Sequence, residues 1–301
     1  MIVVAGESLI DLVPQGGGEP LPALLPRPGG GPYNTAVALG RLGARAAFCS
    51  RVSTDAFGAA LVDGLRSAGV DTSLVARGPE PTTLAVAAID GNGSAGYGFY
   101  AEGTADRLFE LPPPLPDAVR AVAFGTCSLV LEPGASAYEE LMRREAGRGR
   151  FILLDPNIRA GLIPDPDAYR ARFAGWLPSV SLLKLSEEDA DWLGGVPGGP
   201  DGPAAVVLTR GGEGLTVRTR GGPEVSVPAV PVTVADTIGA GDTVNAALLH
   251  GLAARDALSA PGLAALGETA WRDLLGFAAR ASAITCSRPG AEPPYADELD
   301  G

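Results

Sequence analysis

The residues with the clearest chemical potential lie in the stretch Asp236-Thr237-Ile238-Gly239-Ala240-Gly241-Asp242. A β-branched, proline-punctuated run over residues 225–234 precedes this stretch, and a helical pattern over 242–254 follows it. A turn of small residues at a helix start leaves backbone N–H groups unpaired, and the helix dipole adds partial positive charge there. The stretch therefore predicts a site that binds an anion such as a phosphate.

The carboxylate at the end of this turn, Asp242, has two interpretations. It would repel a resting phosphate, so its presence favours a reaction in which it removes a proton while negative charge develops nearby. Alternatively, Asp242 only caps its helix, because Asp is common at helix N-termini. The turn alone does not decide between a general base and a cap.

A second glycine cluster, Gly29-Gly30-Gly31-Pro32-Tyr33-Asn34, opens another predicted helix. Val37, Ala38 and Leu42 recur at helical spacing, and Gly43 ends the pattern. Glycines before a helix either let the backbone approach a ligand closely or form a flexible hinge. Both interpretations stay open for this cluster.

Polar residues also follow several predicted strands, at the edge where ligands bind in open α/β sheets. These residues are Asp155, Lys184, Thr209 and Asp236, and Asp11 at a further strand end predicts a ligand or a cap. Lys184 is the only lysine, and because it follows Leu183 rather than glycine, it does not form a P-loop. Phosphoryl transfer would then rely on backbone donors, a divalent metal and a carboxylate that activates the acceptor.

The elements that must position these residues alternate between strands and helices, which predicts an α/β fold with right-handed crossovers and a parallel sheet. The main predicted strands are 2–5, 46–52, 74–75, 119–124, 151–154, 182–184 and 204–208, and the helices are 57–68, 137–146, 168–176, 242–254 and 271–285. Residues 14–28, rich in proline and glycine, predict an irregular loop or flap. Strands over 82–90 and 97–101, joined by Gly91-Asn92-Gly93-Ser94, predict a β-hairpin that stands off the main sheet.

Composition excludes several classes of function. The 35 acidic and 23 basic residues give a net charge of −12, which argues against a non-specific nucleic-acid surface. The single histidine, His250, leaves little for a histidine-based metal site or a Ser-His-Asp triad, and we predict a structural role for it. Three separated cysteines, no apolar run as long as a membrane span, and a strand directly after Met1 lead us to expect a cytoplasmic protein without a signal peptide.

Taken together, the motifs resemble a known family. The stretch 236–242 is similar to the second signature of the ribokinase-like (PfkB) carbohydrate kinases, and 29–34 with 36–43 resembles the first. Segments 51–58 and 209–214 also fit the family in the same order, so the resemblance covers essentially the whole chain. Segments 6–11, 100–106, 155–159 and 184–186 look like those of fructokinases.

This resemblance implies a three-layer Rossmann-type sandwich with a mostly parallel central sheet and a small β lid. It implies a single kinase domain over residues 1–301, with lid segments near 11–28 and 82–106, and lid sheets that pair into a homodimer. Closure of such a lid would exclude water and suppress wasteful hydrolysis of ATP.

The resemblance also implies roles for individual residues. Asp242 would be the general base, the amides of Gly239, Ala240 and Gly241 would hold the transferring phosphoryl group, and Arg159 would lie near the acceptor or that group. Sugar contacts would come from Asp11, Gly30, Gly31, Asn34, Phe99 and Arg159. ATP contacts would come from Lys184, Ser186, Thr209, Gly211, Gly214 and Ala279. Asp189 would position Mg²⁺ through water, and Asp236 and Ile238 would form a monovalent-cation site, usually for potassium.

The sequence thus predicts an ATP-dependent, fructokinase-like sugar kinase that acts on a primary hydroxyl, with no nucleic-acid or membrane partner. Ala101 stands where kinases of 2-keto-3-deoxygluconate tend to carry arginine, which favours a neutral sugar. The alternatives are a kinase for keto-deoxygluconate, ribose or a nucleoside, and a sugar-binding regulator without catalysis. A dinucleotide-dependent oxidoreductase is disfavoured, because the G-x-G-x-x-G pattern over 91–96 is followed by a strand rather than a helix.

Overall fold

The computed structural model describes residues 1–15, 21–89, 95–199, 202–222 and 224–299. Its main feature is a nine-stranded sheet with the strand order β13-β12-β11-β10-β9-β8-β1-β4-β5. All neighbours from β11 to β5 are parallel, while β12 and β13 are antiparallel and form one edge. The predicted α/β class with a mostly parallel sheet is confirmed.

The strands of this sheet begin and end close to their predicted positions. They are β1 (Ile2–Ala5), β4 (Ala46–Ser53), β5 (Val75–Gly78), β8 (Ala121–Gly125), β9 (Phe151–Asp155), β10 (Leu182–Ser186), β11 (Ala205–Thr209), β12 (Leu215–Thr219) and β13 (Glu224–Val227). The extended run predicted over 225–234 is a strand only as far as Val227. Pro228 and Pro231 lack the N–H donors that would continue the ladder.

Eight helices are found in the described residues. They are α1 (Gly31–Arg41), α2 (Ala56–Ser67), α3 (Gly134–Gly147), α4 (Pro166–Trp176), α5 (Glu187–Leu193), α6 (Ala240–Ala254), α7 (Ala260–Ala265) and α8 (Glu268–Cys286). No helix in these residues is both long enough and apolar enough to cross a membrane. His250 lies on α6 and stacks on Phe277 of α8, as expected of a structural residue.

The helices cover both faces of the sheet because its central strands are apolar on both sides. In β1, Ile2 and Val4 belong to the core shared with α1, α2, α6 and α8, whereas Val3 and Ala5 belong to the core shared with α3 and α4. The largest fully buried side chains, Trp271 and Trp176, lie one in each core. Near-continuous apolar strands of this kind are typical of a parallel sheet between two helical layers.

A smaller sheet of four strands, in the order β3-β2-β6-β7, is separate from the large one. Its strands are β2 (Leu9–Gln15), β3 (Ala23–Gly29), β6 (Leu84–Ile89) and β7 (Ala95–Tyr100). β6 and β7 pair antiparallel, which confirms the predicted hairpin off the main sheet, although its turn, Gly91-Asn92-Gly93-Ser94, lies outside the described residues. Only residues 6–8 connect β1 of the large sheet to β2 of the small one.

The prediction of an irregular loop over residues 14–28 is wrong for 14–15 and 23–28, because β2 continues to Gln15 and Ala23–Gly29 pairs with it as β3, while residues 16–20 of that span lie outside the described ranges. β3 is an edge strand, so Pro26 and Pro28 need not donate on its open side. Proline content therefore marked an edge strand here rather than a break in the sheet.

Candidate active site

The turn predicted to bind an anion and Asp242 lie at the N-terminus of α6. Gly239 takes the N-cap position with φ 77°, and no side chain caps the helix. Asp242 is the third residue of the helix, and its Oδ2 accepts a 2.9 Å hydrogen bond from Nδ2 of Asn34 on α1. The bond that holds this carboxylate thus comes from another helix, which supports the interpretation of Asp242 as a functional group over that of a cap.

The carboxyl of Asp242 is suited to accept a proton near neutral pH. Burial raises its pKa to about 7, and the negative charge of Asp155 adds to that effect. The hydrogen bond from Asn34 and the positive charges of Lys184 and Arg159 limit the rise. A general base works best when its pKa lies close to the working pH, and this environment provides such a value.

A cavity of about 270 Å³ opens in front of Asp242. Ten residues with predicted roles line it: Asp11, Gly30, Gly31, Asn34, Phe99, Arg159, Lys184, Gly239, Gly241 and Asp242, together with Ile238 of the predicted cation site. They come from both sheets and from the N-termini of α1 and α6. The cavity lies at the carboxyl ends of the parallel strands, where open α/β sheets bind their ligands.

Two residues with unusual backbone geometry lie beside Asp242. Thr126 follows β8 with φ 58° and Asn157 follows β9 with φ 40°, and Asn157 Nδ2 donates to Thr126 Oγ1 at 3.3 Å. The left-handed region is rare for a β-branched residue, and such strain concentrates at functional sites. A Cβ on Gly31 would lie 2.6 Å from Thr126 Oγ1 and 3.2 Å from Asp242 Oδ1, so only glycine fits between them.

Acidic side chains line the cavity from the segment that joins the two sheets, residues 6–8, and from β2. Burial raises the pKa of Glu7 to about 7, and its Oε2 accepts from the backbone N–H of Ser128. Burial likewise raises the pKa of Asp11 to about 6, with Arg159 acting in the opposite direction. Arg159 is itself oriented by the Oδ1 and carbonyl oxygens of Asn157, at 2.8 and 3.1 Å.

A buried cluster lies behind the turn of α6. Lys184 Nζ lies 3.0 Å from Oδ2 of Asp155, and Asn245 Nδ2 donates to that same oxygen at 2.7 Å. A Cβ on Gly241 would lie 2.8 Å from Lys184 Nζ, so the ammonium is packed against the backbone of the turn. The sole lysine of the chain is therefore next to the predicted anion site.

The other residues predicted to contact ATP do not line this cavity. Thr209 ends β11, and Gly211 and Gly214 belong to the turn that leads into β12, with φ 48° and 106°. Ser186 is the N-cap of α5, and Ala279 is buried on α8. Ala240 is the first residue of α6, where its carbonyl accepts from Ser282.

The residues predicted to bind metal ions have structural partners. Asp189 Oδ1 accepts from the backbone N–H of Ile158 at 2.7 Å, and its Oδ2 accepts from that of Ser186 at 3.0 Å. Asp236 Oδ1 accepts from Ile238 N–H and its Oδ2 from Gly290 N–H. Within the described ranges, no group of three or more His, Cys, Asp and Glu side chains is placed to hold a metal ion.

Sequence reasoning assigned no role to several residues that line the cavity: Glu7, Leu9, Thr126, Cys127, Asn157 and Thr237. Glu7 and Asn157 belong to the segments that resembled fructokinases, so the sequence carried a signal for them. Thr126 carried none, because a β-branched residue gives no warning of a left-handed conformation.

The chain has clear relatives among known proteins. A family model described as pfkB family carbohydrate kinase matches residues 1–298. The fructokinase of Rhizobium leguminosarum bv. trifolii is 40% identical over 284 residues, which cover 91% of this chain and 86% of that protein. The fructokinase of Klebsiella pneumoniae is 33% identical over 313 residues, which cover 99% and 97% of the two chains.

Solved structures agree with these sequence matches. A fructokinase of Xylella fastidiosa with bound ATP has a TM-score of 0.88 at 28% identity and covers 99% of this chain and 96% of that one. A double mutant of the fructokinase of Vibrio cholerae, in a form that binds fructose, ADP and potassium, has a TM-score of 0.81 at 25% identity. It covers 96% of this chain and 93% of that chain.

Proposed function

The chain belongs to the pfkB family of carbohydrate kinases and is a sugar kinase, and we propose that it transfers the γ-phosphoryl group of ATP to a primary hydroxyl of fructose. The observation that carries this proposal is the position of Asp242. Its carboxyl is buried in a cavity that also contains the turn of α6 and the predicted sugar ligands. The names of the relatives above support fructose and ATP as the two substrates.

The geometry supports a direct transfer between the two substrates. Asp242 takes the proton of the sugar hydroxyl, whose oxygen attacks the γ-phosphorus. The bond from that phosphorus to the β,γ-bridging oxygen breaks, and ADP leaves with the electron pair. The N–H groups of Gly239 and Gly241 stabilise the charge on the phosphoryl oxygens at the positive end of the helix dipole, whereas the N–H of Ala240 already donates to the carbonyl of Thr237 at 3.3 Å.

Sugar binding is proposed for residues on opposite sides of the cavity. Asp11 lies on β2 of the small sheet and accepts hydrogen bonds from sugar hydroxyls, while Asn34 of α1 contacts both the sugar and Asp242. Gly30, with φ 103°, brings bare backbone to the sugar, and a Cβ there would lie 2.9 Å from the carbonyl oxygen of Glu7. Phe99 and Arg159 complete the pocket.

For ATP, we propose that Thr209, Gly211 and Gly214 line the phosphates and ribose, that Ala279 lies near the adenine, and that Lys184 and Ser186 contact the phosphates. Both oxygens of Asp189 already accept backbone N–H groups, which suits contact with Mg²⁺ through water better than direct coordination. Bound Mg²⁺ would neutralise charge on the ATP phosphates. Asp189 itself fixes Ser186 and the segment that carries Arg159.

A potassium site is proposed at Asp236 and Ile238. The carboxylate of Asp236 holds two segments together, since it accepts from Ile238 and from Gly290, and the backbone N–H of Asp236 donates to the carbonyl of Cys286. These contacts hold residues 286–290 beside the turn that begins at Gly239, where an added Cβ would lie 2.7 Å from that of Ala291. Occupation by potassium would stabilise that turn in its anion-binding form.

The small sheet is proposed to act as a lid and as a dimer interface. It exposes large apolar side chains, including Leu24 and Tyr100, and exposed apolar groups of this kind are typical of contact surfaces. Light scattering on the wild-type chain and on Tyr100→Glu tests the dimer.

Because both sheets contribute to one cavity, we propose that residues 1–301 work as one kinase domain. The three free cysteines suit a reducing cytoplasm.

The decisive experiment is a panel of acceptors in a coupled assay for ADP release. We expect fructose to give the highest kcat/KM, at least ~10-fold above ribose, nucleosides and keto-deoxygluconate, since a hydrogen bond between site and substrate discriminates at this scale or above. Ala101 offers no positive charge to an acidic sugar, which supports a neutral one. Faster turnover of another acceptor would replace fructose, and binding of sugar without any ADP release would indicate a regulator.

A further inference from the structure

The buried cluster behind the turn of α6 carries an inference that deepens the proposed function and rests on it. We infer that Asp155 and Asn245 are positioning residues that hold Lys184 against Gly241, so that its ammonium donates to the phosphoryl group during transfer. Lys184 keeps its protons in this step, and the proton of the sugar hydroxyl still goes to Asp242.

The position of the ammonium is fixed from two elements. Oδ2 of Asp155, the last residue of β9, accepts from Lys184 on β10 at 3.0 Å and from Asn245 on α6 at 2.7 Å. All three residues are buried, with at most 4% of the surface of each residue exposed. An ammonium on a flexible four-carbon stem would otherwise sample several positions, and this shared oxygen restricts it to one.

The ammonium retains hydrogen-bonding capacity towards the cavity. It has three N–H donors, and Asp155 is the one acceptor that the structure gives it among the described residues. Lys184 lines the cavity that also contains Asp242, and its Nζ touches the bare backbone of Gly241. A phosphoryl oxygen bound to the N–H groups of the turn would therefore lie next to the free donors of Lys184.

The charges of the cluster favour such a contact. Burial opposes the charged form of Lys184, but Asp155 and Asp189 outweigh it and raise the pKa of the ammonium, so the charge persists. A buried ion pair is commonly no better for stability than apolar residues of the same size. Stability alone therefore does not explain why an ion pair occupies this position, whereas contact of Lys184 with the predicted anion-binding turn does.

The first test compares Lys184→Met, Asp155→Asn and the double variant. Loss of a preorganised donor to a transition state reduces kcat by ~100- to 1000-fold, and we expect this for Lys184→Met with KM for ATP changed less than ~3-fold. Asp155→Asn should cost about 10-fold through looser positioning. If Asp155 acts through Lys184, the double variant is no slower than Lys184→Met alone.

The second readout is the pH at which kcat/KM falls on the acid side, which reports the titration of Asp242. The groups that act on Asp242 are Asp155 of β9, Arg159 of the segment after β9, Lys184 of β10 and Asn34 of α1. The carboxyls of Glu7 and Asp11 line the same cavity. Removing the positive charge in Lys184→Met should move this limb to higher pH. Removing the negative charge in Asp155→Asn should move it to lower pH, and the double variant should return towards the wild type.

An ion pair whose charges do not act on Asp242 would leave the acid limb in place. Glu145→Gln is the matched control, because Glu145 is fully buried in ion pairs with Arg144 and Arg148 and lies outside the cavity. We expect it to lower thermal stability and leave the acid limb in place. The double variant leaves neither Lys184 nor Asp155 as an unpaired buried charge. Its kcat and acid limb can therefore still be measured if a single variant does not fold.

A third measurement does not depend on the identity of the sugar. Calorimetry with ADP and aluminium fluoride should show binding to Lys184→Met about 100-fold weaker than to the wild type, with ADP alone little changed. Turnover of Lys184→Met within ~3-fold of the wild type, or acid limbs that move in the same direction, would overturn the inference. If the wild type prefers another sugar, the assignment of fructose fails and the same series is measured with that sugar.

Discussion

Asn34 Nδ2 donates a 2.9 Å hydrogen bond to Oδ2 of Asp242 and so joins α1 to α6 across the front of the cavity. The two residues lie 208 positions apart, one in each of the two glycine-rich motifs. One hydrogen bond therefore couples the proposed sugar side of the site to its proposed base.

Asp242→Asn should reduce kcat by about 10²- to 10⁴-fold, the range for loss of a general base, while sugar affinity changes modestly.

The Asp242→Asn variant should also be more stable than the wild type at pH 8. Burial raises the pKa of Asp242 from 3.8 to about 7, so the native state keeps a proton that the unfolded chain has already lost, and stability falls as pH rises through this interval.

We expect the free energy of unfolding of Asp242→Asn to exceed that of the wild type by roughly 1–4 kcal/mol at pH 8. The difference should shrink towards zero near about pH 3, where the carboxyl is mostly protonated in both states of the wild type. Urea unfolding at the two pH values measures it. An equal difference at both would show that the carboxyl of Asp242 does not titrate in this interval.

Asn34→Ala should move the acid limb of kcat/KM to higher pH by about one unit, because a hydrogen bond to a carboxylate stabilises its charged form. KM for the sugar should rise in parallel. The matched control is Thr35→Val, since Thr35 Oγ1 donates to the backbone carbonyl of Asp242 at 3.4 Å and not to its carboxylate. A pH–rate series on the three proteins tests this, and an unmoved limb in Asn34→Ala would contradict it.

Gly31→Ala should impair catalysis without unfolding the protein. Its Cβ would press on Thr126 Oγ1 and Asp242 Oδ1, at 2.6 and 3.2 Å, and displacing reacting groups by an ångström costs up to ~100-fold in rate. Alanine is otherwise favourable in a helix, so the cost in unfolding free energy should stay within the about 1–3 kcal/mol typical of overpacking. Gly175→Ala on α4, whose Cβ would meet only Arg143 at 3.9 Å, should leave kcat unchanged.

Gly214→Ala tests the turn between β11 and β12. Gly214 has φ 106°, and a Cβ there would lie 2.1 Å from the carbonyl oxygen of Val227, so strain and steric overlap should cost about 2–4 kcal/mol in unfolding free energy. Gly161→Ala, where a Cβ meets nothing within 4 Å, is the control and should be nearly neutral. Equal effects of the two substitutions in urea would refute the assigned strain.

The order of strands and helices was predictable because each signal is local. Apolar strands, glycine stops and helical spacing located β1, α1, β9 and α6 within a few residues. β3 was missed because proline was interpreted as a break, whereas an edge strand has one side on which no N–H donor is needed. Local patterns do not report which strand will lie at an edge.

The site was only partly predictable for a related reason. Asp242, Asn34 and Lys184 were singled out by their motifs and placement, but the contact of Asn245 with Asp155 joins residues 90 positions apart. Parallel crossovers bring such residues together, and the sequence shows the strand ends without showing which atoms meet. The left-handed backbone at Thr126 depends on its neighbours in space and likewise had no sequence signal.

Residues 6–8 are the shortest bridge between the two sheets, and they have a mechanical consequence. If the small sheet moves as the proposed lid, Asp11 on β2 moves with it, whereas Asp242 stays on α6 beside the large sheet. A hexose that binds both carboxylates would connect the small sheet to α6 and hold the cavity closed. An alcohol too short to reach Asp11 would leave the cavity open to water, which would compete as a nucleophile. The enzyme would thus select acceptors by length before the phosphoryl group is transferred.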